Sequence, residues 1–121
     1  MMKTVSAAAA VALGLAFSLP AAAQLNPFTR GGLDLTAEDW AMLEAAAEKL
    51  YATEDRPVGT AETWSNDQSG NNGRIELVQK GQYQGMPCRR LKHDIRVKDV
   101  GDTFHFVVDR CRTPDGAWKA R

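Results

Sequence analysis

Four side chains with metal-binding donors fall in one stretch of this sequence: Cys88, His93, His105 and Cys111. Two thiolates and two imidazoles are a donor set that Zn²⁺ accepts. Asp94 and His105 suggest a second chemistry, a carboxylate orienting a general base, which needs a nucleophile beside it. Asp67, Ser69 and Asn71 alternate through DQSGNNG as oxygen ligands do in a calcium loop. Arg90, Lys92, Arg96 and Lys98 form a stripe of cations able to meet an anionic surface.

The elements that carry these residues decide among the chemistries. MPCRRLKHDIRV and DTFHFVVDRCR are two alternating runs joined by KDVG, the pattern of a β-hairpin. Pairing Leu91 with Val108 sets His93 opposite Phe106 and Ile95 opposite Phe104. It closes on Val97 and Asp102 around a four-residue loop that ends in glycine. Carried outward, the register pairs Arg90 with Asp109, Asp94 with His105 and Cys88 with Cys111, so a Cys88–Cys111 disulfide is predicted.

Side chains alternate across a strand, so His93 belongs with the apolar set while His105 and both cysteines point the other way. Ligands split over two faces cannot meet one zinc ion, and no metal site is expected. The Asp94–His105 pair has no serine or free cysteine in the same run. The DQSGNNG stretch has Gly73 at the seventh position of such a calcium loop, one late, and Val78 where a bidentate glutamate is required. No cofactor is implied, and no catalytic residues are expected.

Arg90, Lys92, Arg96 and Lys98 share the outward side of the first run. They read either as the solvated face of a one-sided sheet or as a candidate binding face for an acidic polymer, anionic lipid headgroups or an acidic partner. Formal net charge is +0, with Lys+Arg 15 against Asp+Glu 15, which gives no global drive toward nucleic acid or an anionic membrane. The balance conceals an asymmetry of about −6 from Gln24 to Asn72 and about +5 from Gly73 onward.

The start of the chain reads as an address. Lys3 precedes the apolar run VSAAAAVALGLAFSL, and Pro20 comes before Ala21-Ala22-Ala23, the order of a secretory signal peptide over residues 1–23. Export to an oxidising compartment agrees with paired cysteines. Residues 24–35 read as a flexible leader, and residues 36–121 as one domain. Within it, Thr36 and Asp39 have the spacing of a capping box, and Leu35 with Trp40 that of a hydrophobic staple. Trp40, Leu43, Ala47 and Leu50 form the apolar stripe of an amphipathic helix ending near Ala52 or Thr53. Glu38, Asp39, Glu44 and Glu48 make its other side acidic. AETWSN reads as a first strand, Arg74 to Lys80 as a second and Ala117 to Ala120 as a last one after a Thr113-Pro114-Asp115-Gly116 turn. The whole is an α+β domain: one N-terminal amphipathic helix on a four- to five-stranded antiparallel meander with a disulfide-closed hairpin.

Trp64-Ser65-Asn66, Ser69-Gly70-Asn71-Asn72-Gly73, Cys88-Arg89 and Cys111-Arg112-Thr113-Pro114-Asp115-Gly116-Ala117-Trp118 occur in this order. From about Val58 to Ala120 the chain resembles the C-terminal domain of the seventeen-kilodalton outer-membrane surface antigen family of the bacterial cell envelope. The resemblance implies a non-catalytic envelope module and transfers no catalytic residues. Aspartate follows Asn66 where the family has proline, and no cysteine lies near the cleavage site to accept lipid. The expectation is therefore a non-lipidated structural or interaction protein, periplasmic or secreted, with outer-membrane association left open. It has no transmembrane segment after signal cleavage, and its partner would be an envelope protein or an anionic envelope component rather than nucleic acid. The alternative is a periplasmic binding protein that takes a small ligand or anionic polymer on the basic face of the Cys88–Cys111 hairpin.

Overall fold

The computed structural model describes residues 33–53 and 55–121, so the expected signal peptide and most of the expected leader lie outside the described residues. One helix, α1 (Ala37–Tyr51), precedes five strands: β1 (Ala61–Ser65), β2 (Asn72–Tyr83), β3 (Met86–Val97), β4 (Asp102–Arg112) and β5 (Trp118–Ala120). They form one antiparallel sheet in the order β1-β2-β3-β4-β5, a meander in which each strand lies beside its neighbour in sequence. The α+β architecture expected from the sequence is the one observed.

Helix α1 starts where the capping residues place it. The Thr36 hydroxyl accepts from the Asp39 amide at 3.0 Å, and the Asp39 carboxylate accepts from the Thr36 amide at 3.0 Å. At the other end the Ala52 amide donates to the Glu48 carbonyl, and Arg56 Nη1 donates to the Lys49 carbonyl at 3.0 Å. The helix stops at Tyr51, slightly earlier than expected, with Pro57 close behind.

The β3–β4 hairpin has the register set by its apolar alternation. Leu91 faces Val108, His93 faces Phe106, Ile95 faces Phe104, and Val97 faces Asp102 across the turn. Cys88 and Cys111 stand directly opposite each other, Cα atoms 4.0 Å apart, and form the disulfide. Strand β2 is longer at both ends than the run Arg74 to Lys80. It continues through Gly81, Gln82 and Tyr83, opposite Cys88, Pro87 and Met86. A bulge at Val78, between Leu77 and Gln79, resets the alternation partway along. The linker GQYQG is therefore strand plus a tight turn at Gln84 (φ 49°) and Gly85 (φ 80°), both left-handed as a two-residue hairpin loop requires.

Three cross-strand rows make the inner face of the sheet: Leu77, Leu91 and Val108; Ile75, His93 and Phe106; Gly73, Ile95 and Phe104. Helix α1 packs over β1, β2 and β3, driving Leu43, Ala47 and Leu50 onto these rows. Leu43, Leu50, Ile75, Leu77, Leu91 and Ile95 are fully buried, each stabilising by roughly 2 kcal/mol through area removed from water. Trp64 fills the gap left by Gly73. A Cβ built at Gly73 would lie 2.3 Å from Trp64 Nε1, so only glycine admits the indole there. Phe104 and Phe106 on β4 are only half-buried, because the helix sits toward the β1 side of the sheet.

Candidate functional site

The residues singled out in the sequence separate into three places. Arg90, Lys92, Arg96 and Lys98 are all exposed. Arg90 is committed to Asp109 through two bonds, Nε to Oδ1 at 2.8 Å and Nη2 to Oδ2 at 3.1 Å. This bond holds the Asp109 carboxyl below its ordinary range. Lys98 lies past the end of β3, its side chain drawn against Gly70, and its amide donates to Asn71 Oδ1 at 2.9 Å. Lys92 and Arg96 remain on the outward face, next to Glu76 and Asn72 of β2 and Val107 and Thr103 of β4. The face is a mosaic rather than an uninterrupted cationic band. Arg74 pairs with Glu76 at 3.1 Å, and His105 Nδ1 lies 2.6 Å from Asp94 Oδ1. An open depression of about 460 Å³ adjoins it, lined by Thr63, Asn72, Arg74, Asp94, Arg96 and Thr103. Asp94 and His105 occupy this solvated face as a cross-strand pair, with Arg74 as the other neighbour of Asp94, and no nucleophile stands in either position.

The second place departs from the sequence expectation. Asp39, expected on the acidic side of the helix, is fully buried. Its Oδ1 accepts from Asn66 Nδ2 at 2.8 Å and from Ser69 Oγ at 2.7 Å. Its Oδ2 accepts from Asn71 Nδ2 at 2.8 Å and from the Thr36 amide. Burial alone would raise this carboxyl's pKa; the bonds from Asn71, Ser69, Thr36 and Asn66 outweigh that and lower it from 3.8 to about 2. The loop from Asn66 to Asn71 bonds to itself, through Gln68 N to Asn66 Oδ1 and Asn71 N to Ser69 Oγ. It also brings three side chains, Asn66, Ser69 and Asn71, to the helix cap, and through Asn71 it holds the start of the β3–β4 turn. These polar side chains thus fasten helix, first turn and central hairpin together. The only sequence signal for this was the clustering of Asn66, Ser69 and Asn71 opposite an N3 aspartate.

The third place is the centre of the inner face. His93 is buried between Ile75 and Phe106. Burial lowers its pKa from 6.5 to about 4, the Arg110 charge pushes the same way and Asp94 opposes, so the imidazole is neutral at physiological pH. Beyond it, the Arg89 guanidinium lies 5.5 Å from the Trp118 ring and that of Arg110 5.1 Å from the Tyr51 ring, which closes the end of the core with cation–π contacts. Arg110 also pairs with Glu44 of the helix. His93 and His105 are on opposite faces of the sheet, and both cysteines are joined to each other. No group of three or more metal-binding side chains occurs among the described residues, and no helix there is long and apolar enough to cross a membrane.

No family model, no curated protein and no solved structure matches this chain.

Proposed function

We propose that the protein is a non-catalytic module of the bacterial cell envelope, of the surface-antigen type, that acts through its folded surface. One observation carries the reading: the motif residues are engaged in building the domain. Trp64 packs on Gly73, Asn66, Ser69 and Asn71 hold the Asp39 carboxylate, and Cys88 and Cys111 close the hairpin. Thr113 and Asp115 bond one another and, with Gly116 at φ 90°, form the turn into β5. A motif set fully engaged in packing and hydrogen bonding supports a scaffold more readily than a reaction centre, which needs convergent polar groups turned toward a substrate. The contact surface we assign is the outward face around Lys92 and Arg96, with an anionic envelope component or an acidic envelope protein as its partner.

The test is recovery of partners from an envelope extract on immobilised oxidised protein, at low and at high salt. An electrostatic contact is expected to be retained at low salt and lost at high salt. Lys92→Gln with Arg96→Gln is expected to abolish recovery while changing stability by less than about 0.5 kcal/mol, as surface substitutions do. Recovery of nothing by the unaltered protein at either salt would sink the proposal.

A further inference from the structure

We infer that the protein pairs with a second copy of itself through the open edge of β4, making one continuous ten-stranded sheet about a two-fold axis at His105. The edge is open because β5 covers only Arg110, Cys111 and Arg112. Among the described residues, no strand pairs with that side of Asp102–Val108.

The register says which backbone groups face outward there. Residues opposite each other in an antiparallel pair alternate between wide, doubly hydrogen-bonded pairs and narrow pairs whose N–H and C=O groups point away. Cys88 and Cys111, with Cα atoms 4.0 Å apart, form a narrow pair, so Cys111 turns its backbone groups away from β3. Stepping by two along β4, Asp109, Val107, His105 and Thr103 do the same. The bond from the Arg121 amide to the Asp109 carbonyl, 2.9 Å, fits this alternation. Thr103, His105 and Val107 therefore each present one donor and one acceptor at the open edge.

A second β4 strand, antiparallel and centred on His105, meets this pattern residue for residue. Thr103 lies opposite Val107 of the second copy, His105 opposite its own equivalent, and Val107 opposite Thr103, and all three residues exchange both bonds. Shifting the centre to Phe104 leaves Val107 against the turn. Shifting it to Phe106 calls on Asp109, whose carbonyl already accepts from Arg121. The centre at His105 also bisects the open segment Asp102–Val108, so the β3–β4 turn of each copy ends where the other copy's Arg121 bond and β5 begin.

Side chains agree with that register. On the inner face Phe104 stands opposite Phe106 of the second copy and Phe106 opposite Phe104, which joins two half-buried aromatic pairs into one cluster beside the helices. Asp102 falls diagonal to Arg110 of the second copy on the same face, a favourable charge placement. On the outer face, Val107, 63% exposed in the single chain, packs against Thr103 of the second copy. The outward faces of the two sheets become continuous, so the surface assigned above is doubled. The pairing itself does not depend on that assignment.

Sedimentation equilibrium of the oxidised full chain over a wide concentration range is the first test, and a monomer–dimer equilibrium is expected. Val107→Pro removes an amide that faces the open edge and no bond to β3, a placement that strands tolerate at sheet edges. It eliminates two bonds per dimer and should raise the dissociation constant at least about thirtyfold. Thr103→Glu with Val107→Glu sets like charges opposite each other across the pair, while each glutamate faces Arg96 or Lys92 of its own chain, and should also give monomer, whereas Thr103→Glu with Val107→Lys should restore the dimer. These surface changes keep the test open if the proline variant fails to fold. His105→Cys places thiols across the two-fold within reach of a short bifunctional thiol crosslinker and should yield a crosslinked dimer, while Thr103→Cys alone, whose two copies lie four residues apart along the strands, should not. The inference is overturned by a monomer at every concentration, by a dimer that none of these variants weakens, or by dimerisation that appears only after residues 24–32 are deleted, since that would give the edge to this chain's own leader.

Discussion

Asp39→Asn is the substitution that tests the polar clamp most directly. It keeps the volume of the side chain and removes its charge. All four groups bonded to the carboxylate are donors: the Thr36 amide, Asn66 Nδ2, Asn71 Nδ2 and the Ser69 hydroxyl. Whichever way an asparagine amide is turned, its NH₂ meets two of them and leaves buried donors unmatched. The lowering of the Asp39 pKa from 3.8 to about 2 corresponds to about 2 kcal/mol of protonation-linked stability. Because the folded-state value is the depressed one, this contribution is complete well above pH 3.8 and disappears as pH falls toward and below 2; about half is gone by about pH 3. The variant should therefore be destabilised by about 2 to 3 kcal/mol near neutrality, and its difference from the parent should shrink on acidification. Urea denaturation followed by tryptophan fluorescence, run on both proteins from about pH 7 to about pH 2.5, measures this difference and cancels every other titration. A cost under about 0.5 kcal/mol, or a gap that does not narrow with acid, would refute the argument.

Three further outcomes follow from the structure. His93, with its pKa lowered from 6.5 to about 4, should cost the fold about 3 kcal/mol as pH falls from above 6.5 to about 4, since the unfolded imidazole takes the proton first; His93→Leu should flatten the stability profile in that window. Gly73→Ala forces a methyl group into the Trp64 indole and should cost about 1 to 3 kcal/mol, much of it recovered when Trp64→Phe is added; denaturation midpoints of the double-mutant cycle measure the coupling. Reducing Cys88–Cys111, which closes a loop with a sequence separation of 23, should lower stability by about 3 kcal/mol in the chain-entropy picture, as read from denaturation with and without reductant.

The hairpin was legible in the sequence because period-two alternation, a glycine-ended loop and two cysteines constrain the same register from independent directions. Any slip by one residue would have put Leu91 and Ile95 in water and the cysteines out of reach. Strand β2 was harder to read, because the bulge at Val78 breaks its period and the polar run Gly81-Gln82-Tyr83 has no inner-face pattern to reveal it as strand. Asp39 was misplaced for a physical reason. Charge at a helix start is ordinarily solvated, and burial there becomes favourable only when distant side chains supply donors. Those donors lie 27, 30 and 32 residues away. Likewise, the register put Arg90 opposite Asp109 and alternation put Lys98 outside, but neither could show that Asn71 would hold the Lys98 amide.

The strand order has a kinetic consequence. Each β pairing joins neighbours in the chain, so the sheet can close one short loop at a time and never has to wait for a remote segment. The contacts that reach far along the sequence come chiefly from the helix, through its cap and through Glu44 to Arg110. On refolding from the reduced, denatured state, we expect the meander to assemble first and bring Cys88 and Cys111 face to face. Oxidation, an event of seconds to hours, then follows on a formed hairpin. Stopped-flow fluorescence set beside timed thiol trapping would resolve the order, and trapping a disulfide before any strand signal would reverse it. In this chain the covalent bond is expected to seal the hairpin rather than to guide it.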